Sequence, residues 1–222
     1  MNIVIFDLDG TLLNTLGDLH ISFNYAIKKF GYPERTMDEI KSFVGNGIRT
    51  AIERALPQKV SNDEMNKIVD VFKSYYIEHM NEHTKPYEGV VDILKALKDM
   101  GYKTAVVSNK YDDAVKELCK RYFGDLIDAA AGEGYGIAKK PAEDGILKVL
   151  KELGAGDLNE NNVIYIGDSE VDIQTAQNAN IPCISVLWGF KDREFLKSNG
   201  AKIFAETADD IIKIIEKKLY LE

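Results

Sequence analysis

Several apolar segments of this sequence end abruptly in residues able to do chemistry. Ile3-Val4-Ile5-Phe6 stops at Asp7-Leu8-Asp9-Gly10. Lys103-Thr104-Ala105-Val106-Val107 runs into Ser108-Asn109, and Asn162-Val163-Ile164-Tyr165-Ile166 runs into Gly167-Asp168, with Asp172 one helical turn further on. Lys140 stands before Pro141 in the loop region between the last two segments. Any one of these groups alone reads as a solvated loop or a helix cap. In order, each after a strand-like run, they read as a single constellation.

Together they fit phosphoryl transfer. Asp7, Asp9 and Asp168 would concentrate negative charge, and carboxylates crowded at one point repel one another and bind protons. A hard divalent cation relieves that repulsion, and Mg2+ favours one or two carboxylates together with water and substrate phosphate. It also screens an anionic nucleophile from the phosphate it attacks. Lys140 supplies a fixed positive charge for phosphoryl oxygens, and Ser108 with neighbouring backbone N–H groups supplies hydrogen bonds. A carboxylate nucleophile passes through an acyl-phosphate, which divides hydrolysis into two easier steps. The implied cofactor is Mg2+ and the implied ligand a small phosphorylated metabolite.

The elements that must position these groups alternate. β-branched runs at Ile3–Phe6, Lys103–Val107, Asn162–Ile166 and Pro182–Val186 predict buried parallel strands, with weaker candidates at Leu126–Ala129 and Lys202–Phe204. Between them Val90, Ile93, Leu94 and Leu97 recur with helical period, as do Ala114–Cys119, Ile146–Leu153 and Ile173–Ala179. Strands alternating with helices imply an α/β fold with a Rossmann-like parallel-sheet core, whose ligands bind at the carboxyl ends of the strands. Residues 16–85 differ: they read as consecutive amphipathic helices at Leu19–Phe30, Met37–Val44, Ile48–Ala55 and Asp63–His79. The expected organisation is a core of residues 1–15 and 86–222 with an inserted α-helical cap domain, 16–85.

The bulk composition narrows the partners. A formal net charge of -8 and a pI near 5.1 oppose nucleic acid and anionic lipid at long range, and the Lys217-Lys218 pair reads as a solvated helix end. No apolar run reaches the length of a membrane span. Cys119 and Cys183 read as free thiols of a reducing compartment. The start of the chain lacks the pattern of a signal peptide, so a cytoplasmic location is expected.

The motifs resemble those of the haloacid dehalogenase (HAD) superfamily. Asp7-Leu8-Asp9-Gly10-Thr11-Leu12 is similar to its first motif, Ser108-Asn109 to the second, Lys140-Pro141 to the third and Gly167-Asp168-Ser169-Glu170-Val171-Asp172 to the fourth. The resemblance implies that Asp7 is the nucleophile and a metal ligand. It makes Asp9 the general acid and base, with its carbonyl on the metal, Asp168 the remaining ligand, and Asp172 a support behind them. A small polar residue at Thr11 accompanies phosphatase and mutase chemistry. The insert resembles a C1-type cap, and Phe43 to Arg49, Glu53 to Pro57 and Leu187 to Phe190 resemble the phosphoglycolate phosphatase-like subfamily. Asn14, Glu88 and Glu143 depart from the commonest pattern without removing a catalytic group. The same motifs also serve phosphosugar mutases of the β-phosphoglucomutase type; a non-catalytic binding protein on this fold is argued against by the intact set.

Several residues stay open at this level. Gly45-Asn46-Gly47 is either a turn between helices or a substrate loop. Arg49 is either a surface charge or, facing the core, the cation for a substrate carboxylate. Lys110 is either a solvated loop residue or a source of positive potential. His20, His79 and His83 read as helix-surface residues, and Trp188 as a packing residue.

Overall fold

The computed structural model describes residues 1–134, 136–156, 158 and 161–217; Lys218 therefore lies outside the described residues. The chain divides into two compact units, Met1–Leu13 with Pro86–Glu222, and Asn14–Lys85.

The first unit is a parallel sheet. Its strands are β1 (Asn2–Phe6), β4 (Lys103–Tyr111), β5 (Ala129–Glu133), β6 (Asn162–Gly167), β7 (Cys183–Val186) and β8 (Ile203–Ala205), in the order β5-β4-β1-β6-β7-β8. The intervening helices are α5 (Val90–Asp99), α6 (Asp112–Phe123), α7 (Asp144–Glu152), α8 (Glu170–Asn178), α9 (Arg193–Ser198) and α10 (Ala208–Glu216). Ile3 and Ile5 pack with Val107, Tyr165, Ile146 and Val149 in one core cluster, while the alternate residues Val4 and Phe6 are equally buried. A strand covered on both faces needs an uninterrupted apolar run, which is what β1 is. The chain steps from β1 to β4 on one side and later to β6 on the other, so β1 stands at the switch point of the sheet, where strand ends form a crevice.

Two differences from the sequence expectation concern β5. The strand begins at Ala129, and Gly124–Leu126 forms a short 3-10 turn. Alanine and glycine gave no β-branched signal there. The ladder between β4 and β5 also slips: Val107 faces Ala131 and Tyr111 faces Glu133, so Ser108-Asn109-Lys110 bulges opposite Gly132. A Cβ on Gly132 would meet the Lys110 carbonyl and the Asp112 Cα at 2.5 Å, so only glycine lets the bulge settle. Such a bulge re-aims side chains that regular pleating would send to opposite faces.

The second unit is helical: α1 (Leu16–Lys29), α2 (Met37–Phe43), α3 (Ile48–Ala55) and α4 (Asn62–His79). Its core is aromatic, with Phe23 against Phe72 at 4.7 Å between ring centroids and Phe72 stacked on Tyr76 at 5.5 Å. Thr36 and Glu39 cap α2 reciprocally, and Ser61 caps α4. The buried carboxylate of Asp18 accepts from the backbone N–H groups of His83 (2.8 Å) and Thr84 (2.9 Å) and from the Thr84 hydroxyl (2.7 Å). That ties the first helix of the unit to its last residues. Two-residue strands, β2 (Leu13–Asn14) and β3 (Lys85–Pro86), form a separate pair where the chain crosses between the units.

Candidate active site

The carboxyl ends of β1, β4 and β6 bring Asp7, the Ser108–Lys110 bulge and Asp168 to one end of the sheet. The turn after β1 is tight: Leu12 and Leu13 both donate to the Leu8 carbonyl, and Gly10 donates to Leu13. Gly10 has φ +87°, and a Cβ there would overlap the Asp168 carboxylate. The glycine is therefore a condition for bringing β1 and β6 acids together. Trp188 Nε1 donates to the Thr11 carbonyl at 3.0 Å, pinning the same turn.

Asp7, Asp168 and Asp172 place carboxylate oxygens within 4.8 Å of one another. Lys140 Nζ lies 2.7 Å from Asp172 Oδ1 and 2.8 Å from Asp7 Oδ1. The contact to Asp7 is an ion pair whose angles fall outside those of a hydrogen bond, so that buried oxygen accepts none. Asp172 is fully engaged, accepting also from the Ser169 N–H (3.1 Å) and hydroxyl (2.6 Å) as the cap of α8. Asp168 accepts from the Thr11 hydroxyl at 3.1 Å and from the Phe190 N–H at 2.7 Å.

Charge at this point is unbalanced. Burial, opposed by Lys140 and reinforced by Asp172, pushes the Asp7 carboxyl up to about 7. Burial, then Asp172 and Asp7, hold Asp168 well above the usual carboxylate range against the pull of Phe190 and Thr11. For Lys140, burial works against the charge, but Asp172 and Asp7 outweigh it and keep the ammonium protonated. Three clustered carboxylates facing one ammonium, with an unbonded buried oxygen on Asp7, are suited to a hard cation.

Supporting groups complete the arrangement. Asn109 brackets the Lys140 peptide, accepting from its N–H at 2.7 Å and donating to its carbonyl at 3.0 Å. These two bonds fix the Lys140 peptide beside the Asn109 side chain, which the sequence reading groups with Ser108 and Lys140 as phosphate-binding. Ser108 is buried, and its hydroxyl oxygen accepts from the Lys110 N–H at 3.3 Å. Tyr165, read in the sequence only as part of an apolar strand, puts its hydroxyl 3.0 Å from both Lys140 Nζ and the Val107 carbonyl. A tyrosine within a buried run is itself a signal, since its hydroxyl must find a partner. Lys110 is a buried residue, not a solvated one, and its Nζ lies 2.9 and 3.0 Å from the two oxygens of Asp9.

Arg49 belongs to the helical unit. It is exposed, and its guanidinium donates to Asn66 Oδ1 at 2.7 Å and to Asn62 Oδ1 at 3.2 Å, which fastens α3 to α4. Gly45 and Gly47 both take positive φ (+115° and +85°), as a turn between α2 and α3 requires.

Residues 4–186 match the family model of the haloacid dehalogenase-like hydrolases. The chain belongs to that family. This hydrolase is similar to the phosphoglycolate phosphatase of Aquifex aeolicus (strain VF5), at 30% identity over 99% of each chain. It is 32% identical to that of Agrobacterium fabrum over 86% of this chain and 82% of the relative. A crystal structure from Lactobacillus delbrueckii subsp. bulgaricus superposes with a TM-score of 0.88 at 38% identity, covering 94% of this chain and 95% of that one. These likenesses set the hydrolase among the phosphoglycolate phosphatase-like members of the family, and the six-stranded parallel sheet is the α/β fold expected of it. Among the described residues, no helix is long and apolar enough to cross a membrane.

Proposed function

We propose that this hydrolase is a magnesium-dependent phosphatase that cleaves a small phosphate monoester through an aspartyl-phosphate on Asp7, with phosphoglycolate as the leading substrate. The observation that carries the reading is the Asp7 oxygen: buried at the end of β1, 2.8 Å from the Lys140 ammonium, and accepting no hydrogen bond. The named relatives support the substrate.

Asp7 and Asp168 would hold Mg2+, with the carbonyl of Asp9. When bound, the ion neutralises phosphoryl oxygens and lowers the repulsion between nucleophile and substrate. The chain's own residues do the rest. An Asp7 oxygen forms a bond to phosphorus as the ester oxygen departs, and Asp9 donates a proton to that oxygen. Water then attacks the phosphorus, Asp9 takes its proton, and the Asp7–phosphate bond breaks to release inorganic phosphate. Lys140 and Ser108 hold the phosphoryl oxygens, and Asp172 and Tyr165 hold Lys140 in place.

The helical unit, in this reading, is a cap that excludes water during turnover. Its ends are tied to each other by Asp18, and the hinges of this reading are the flanking segments near Asn14–Gly17 and Lys85–Gly89. A phosphate-release screen over small phosphorylated metabolites with Mg2+ tests the assignment. Release from phosphoglycolate is expected; an isomeric sugar phosphate without free phosphate would instead indicate a mutase.

A further inference from the structure

The reaction above gives Asp112 no task, yet three elements converge on it. It opens α6, where an acid is favourable to the helix dipole and would ordinarily face water. Its side chain is instead 1% exposed. Oδ1 accepts from the Gly132 N–H of β5 at 2.9 Å and lies 3.4 Å from Lys148 Nζ of α7, while Oδ2 pairs with Lys116 Nζ, one turn along α6, at 2.7 Å. Burial pushes the carboxyl up, but Lys116, the Gly132 N–H and Lys148 outweigh it and hold it below the usual carboxylate range. An acid that only started a helix would need neither the burial nor the lysines.

The reason lies in the ladder between β4 and β5. Three residues of β4, Ser108 to Lys110, stand opposite the single Gly132. The regular pairing that would take the Gly132 N–H is interrupted there, and a buried N–H without an acceptor is costly. Asp112 supplies that acceptor from just beyond the bulge. The two backbones meet so closely at this point that a Cβ on Gly132 would run into the Lys110 carbonyl and the Asp112 Cα. The carboxylate therefore clasps the bulge to β5 at its own far end. Asn109 carries the effect onward, since its side chain brackets the Lys140 peptide at 2.7 and 3.0 Å.

We propose that Asp112 is a positioning residue for phosphate: by taking the Gly132 N–H that the bulge leaves over, its carboxylate sets where Ser108 and Asn109 stand. The inference rests on the phosphatase reading and adds a residue to the phosphate end of that same site. Asp112 acts through the backbone, so what it must provide is an oxygen at the right reach rather than a charge. Lys116 and Lys148 make the charged form tolerable in burial. A residue that merely stabilised the fold would change how much protein is folded, and would leave the phosphate affinity and turnover of each folded molecule alone.

The test uses two variants of the magnesium-loaded protein. Asp112→Asn keeps an oxygen for the Gly132 N–H and removes the charge. Asp112→Ser suits the start of a helix but is too short to reach. Binding of inorganic phosphate is measured by calorimetry, and phosphate release from phosphoglycolate is normalised to the folded fraction. Asp112→Asn should stay within about threefold of the wild type in both, while Asp112→Ser should lose about tenfold in phosphate affinity and in kcat. A folded Asp112→Ser with wild-type affinity and turnover, lowered only in melting temperature, overturns the proposal. An Asn variant that loses as much as the Ser variant overturns it too, for the charge would then be the working feature. Amide exchange of the wild type decides the matter if Asp112→Ser does not fold: a Gly132 N–H as fast as an exposed loop amide overturns the clasp, and a strongly protected one supports it. A wild type that neither binds inorganic phosphate nor releases it from any monoester is a different result, which sinks the phosphatase reading itself.

Discussion

The two units of this hydrolase bury different things. The α/β unit buries charge: Asp7, Lys110, Asp112, Lys140, Asp168 and Asp172 all lie below a tenth of full exposure. The helical unit buries rings and aliphatic side chains, with Asp18 as a buried acid that three hydrogen bonds satisfy. Its cation of interest, Arg49, is exposed and tied to neutral asparagines. Buried charge is costly unless paired, and here its arrangement leaves acid in excess at one point. The α/β unit is thus organised around electrostatics at the cost of its own stability, while the helical unit is organised around packing.

The sharpest way to break that contrast is Asp7→Asn. The amide keeps the shape but loses nucleophilicity and anionic metal ligation, so phosphate release should fall by about ten-thousandfold or more. If carboxylate crowding is a burden to the fold, metal-free Asp7→Asn should melt no lower than the wild type. A clean preparation with substantial residual turnover would remove Asp7 from the role of nucleophile.

The cost of the crowding should also be visible in the pH dependence of the metal-free protein. Asp7 sits at about 7 in the fold and near 3.9 in an unfolded chain, and Asp168 is raised as well. Between those values the folded state binds protons that the unfolded state does not. Stability from this source is therefore fully present below about pH 4 and is lost as pH rises through about 7. The loss should amount to about 2–4 kcal/mol, and Mg2+ should restore it at neutral pH. Calcium should bind but support turnover poorly, since its looser shell tends to draw in both Asp7 oxygens. Thermal melts in chelator across this range check the sign; a metal-free stability that climbs steadily from pH 5 to 8 would contradict it.

How far the contrast could be seen in the sequence differs by residue. Asp7 and Asp168 were legible because an apolar run ending in an acid is a local pattern. The helical unit was legible because its periodicity is local too. Tyr165 and Lys110 were not, since their tasks depend on partners far along the chain: Tyr165 on Lys140, and Lys110 on Asp9 across 101 positions. Gly132 was hidden because its reason lies in the neighbouring strand. The bonds of Asn109 to the Lys140 peptide were hidden too, because their partner lies 31 positions further along the chain.

Tyr165→Phe probes a group that only the structure singles out. The ring stays, so packing is preserved, but Lys140 loses a partner and the Val107 carbonyl loses its donor. Stability should fall by about 1–2 kcal/mol and kcat by about tenfold, with KM little changed. A tenfold rise in KM at constant kcat would mean that the hydroxyl serves substrate binding instead.

The smallest effect is expected at Arg49, and it decides which unit reads the leaving group. The sequence leaves Arg49 open as the cation for a substrate carboxylate. In the fold its fork is taken by Asn62 and Asn66. Two exposed hydrogen bonds from the guanidinium to neutral amides contribute little, because water competes for both partners. A positive charge in the first turn of α3 is also unfavourable to the helix dipole, so Arg49→Ala removes a small penalty along with the bonds. The net change in stability should stay within about 0.5 kcal/mol. Turnover of phosphoglycolate relative to its neutral isostere phosphoglycolamide should shift by less than about threefold. Measuring Arg49→Ala on both substrates decides whether the helical unit supplies the carboxylate-binding cation. A loss above tenfold confined to phosphoglycolate in Arg49→Ala would reverse the comparison: the helical unit would then carry the selectivity through a charge that packing leaves exposed.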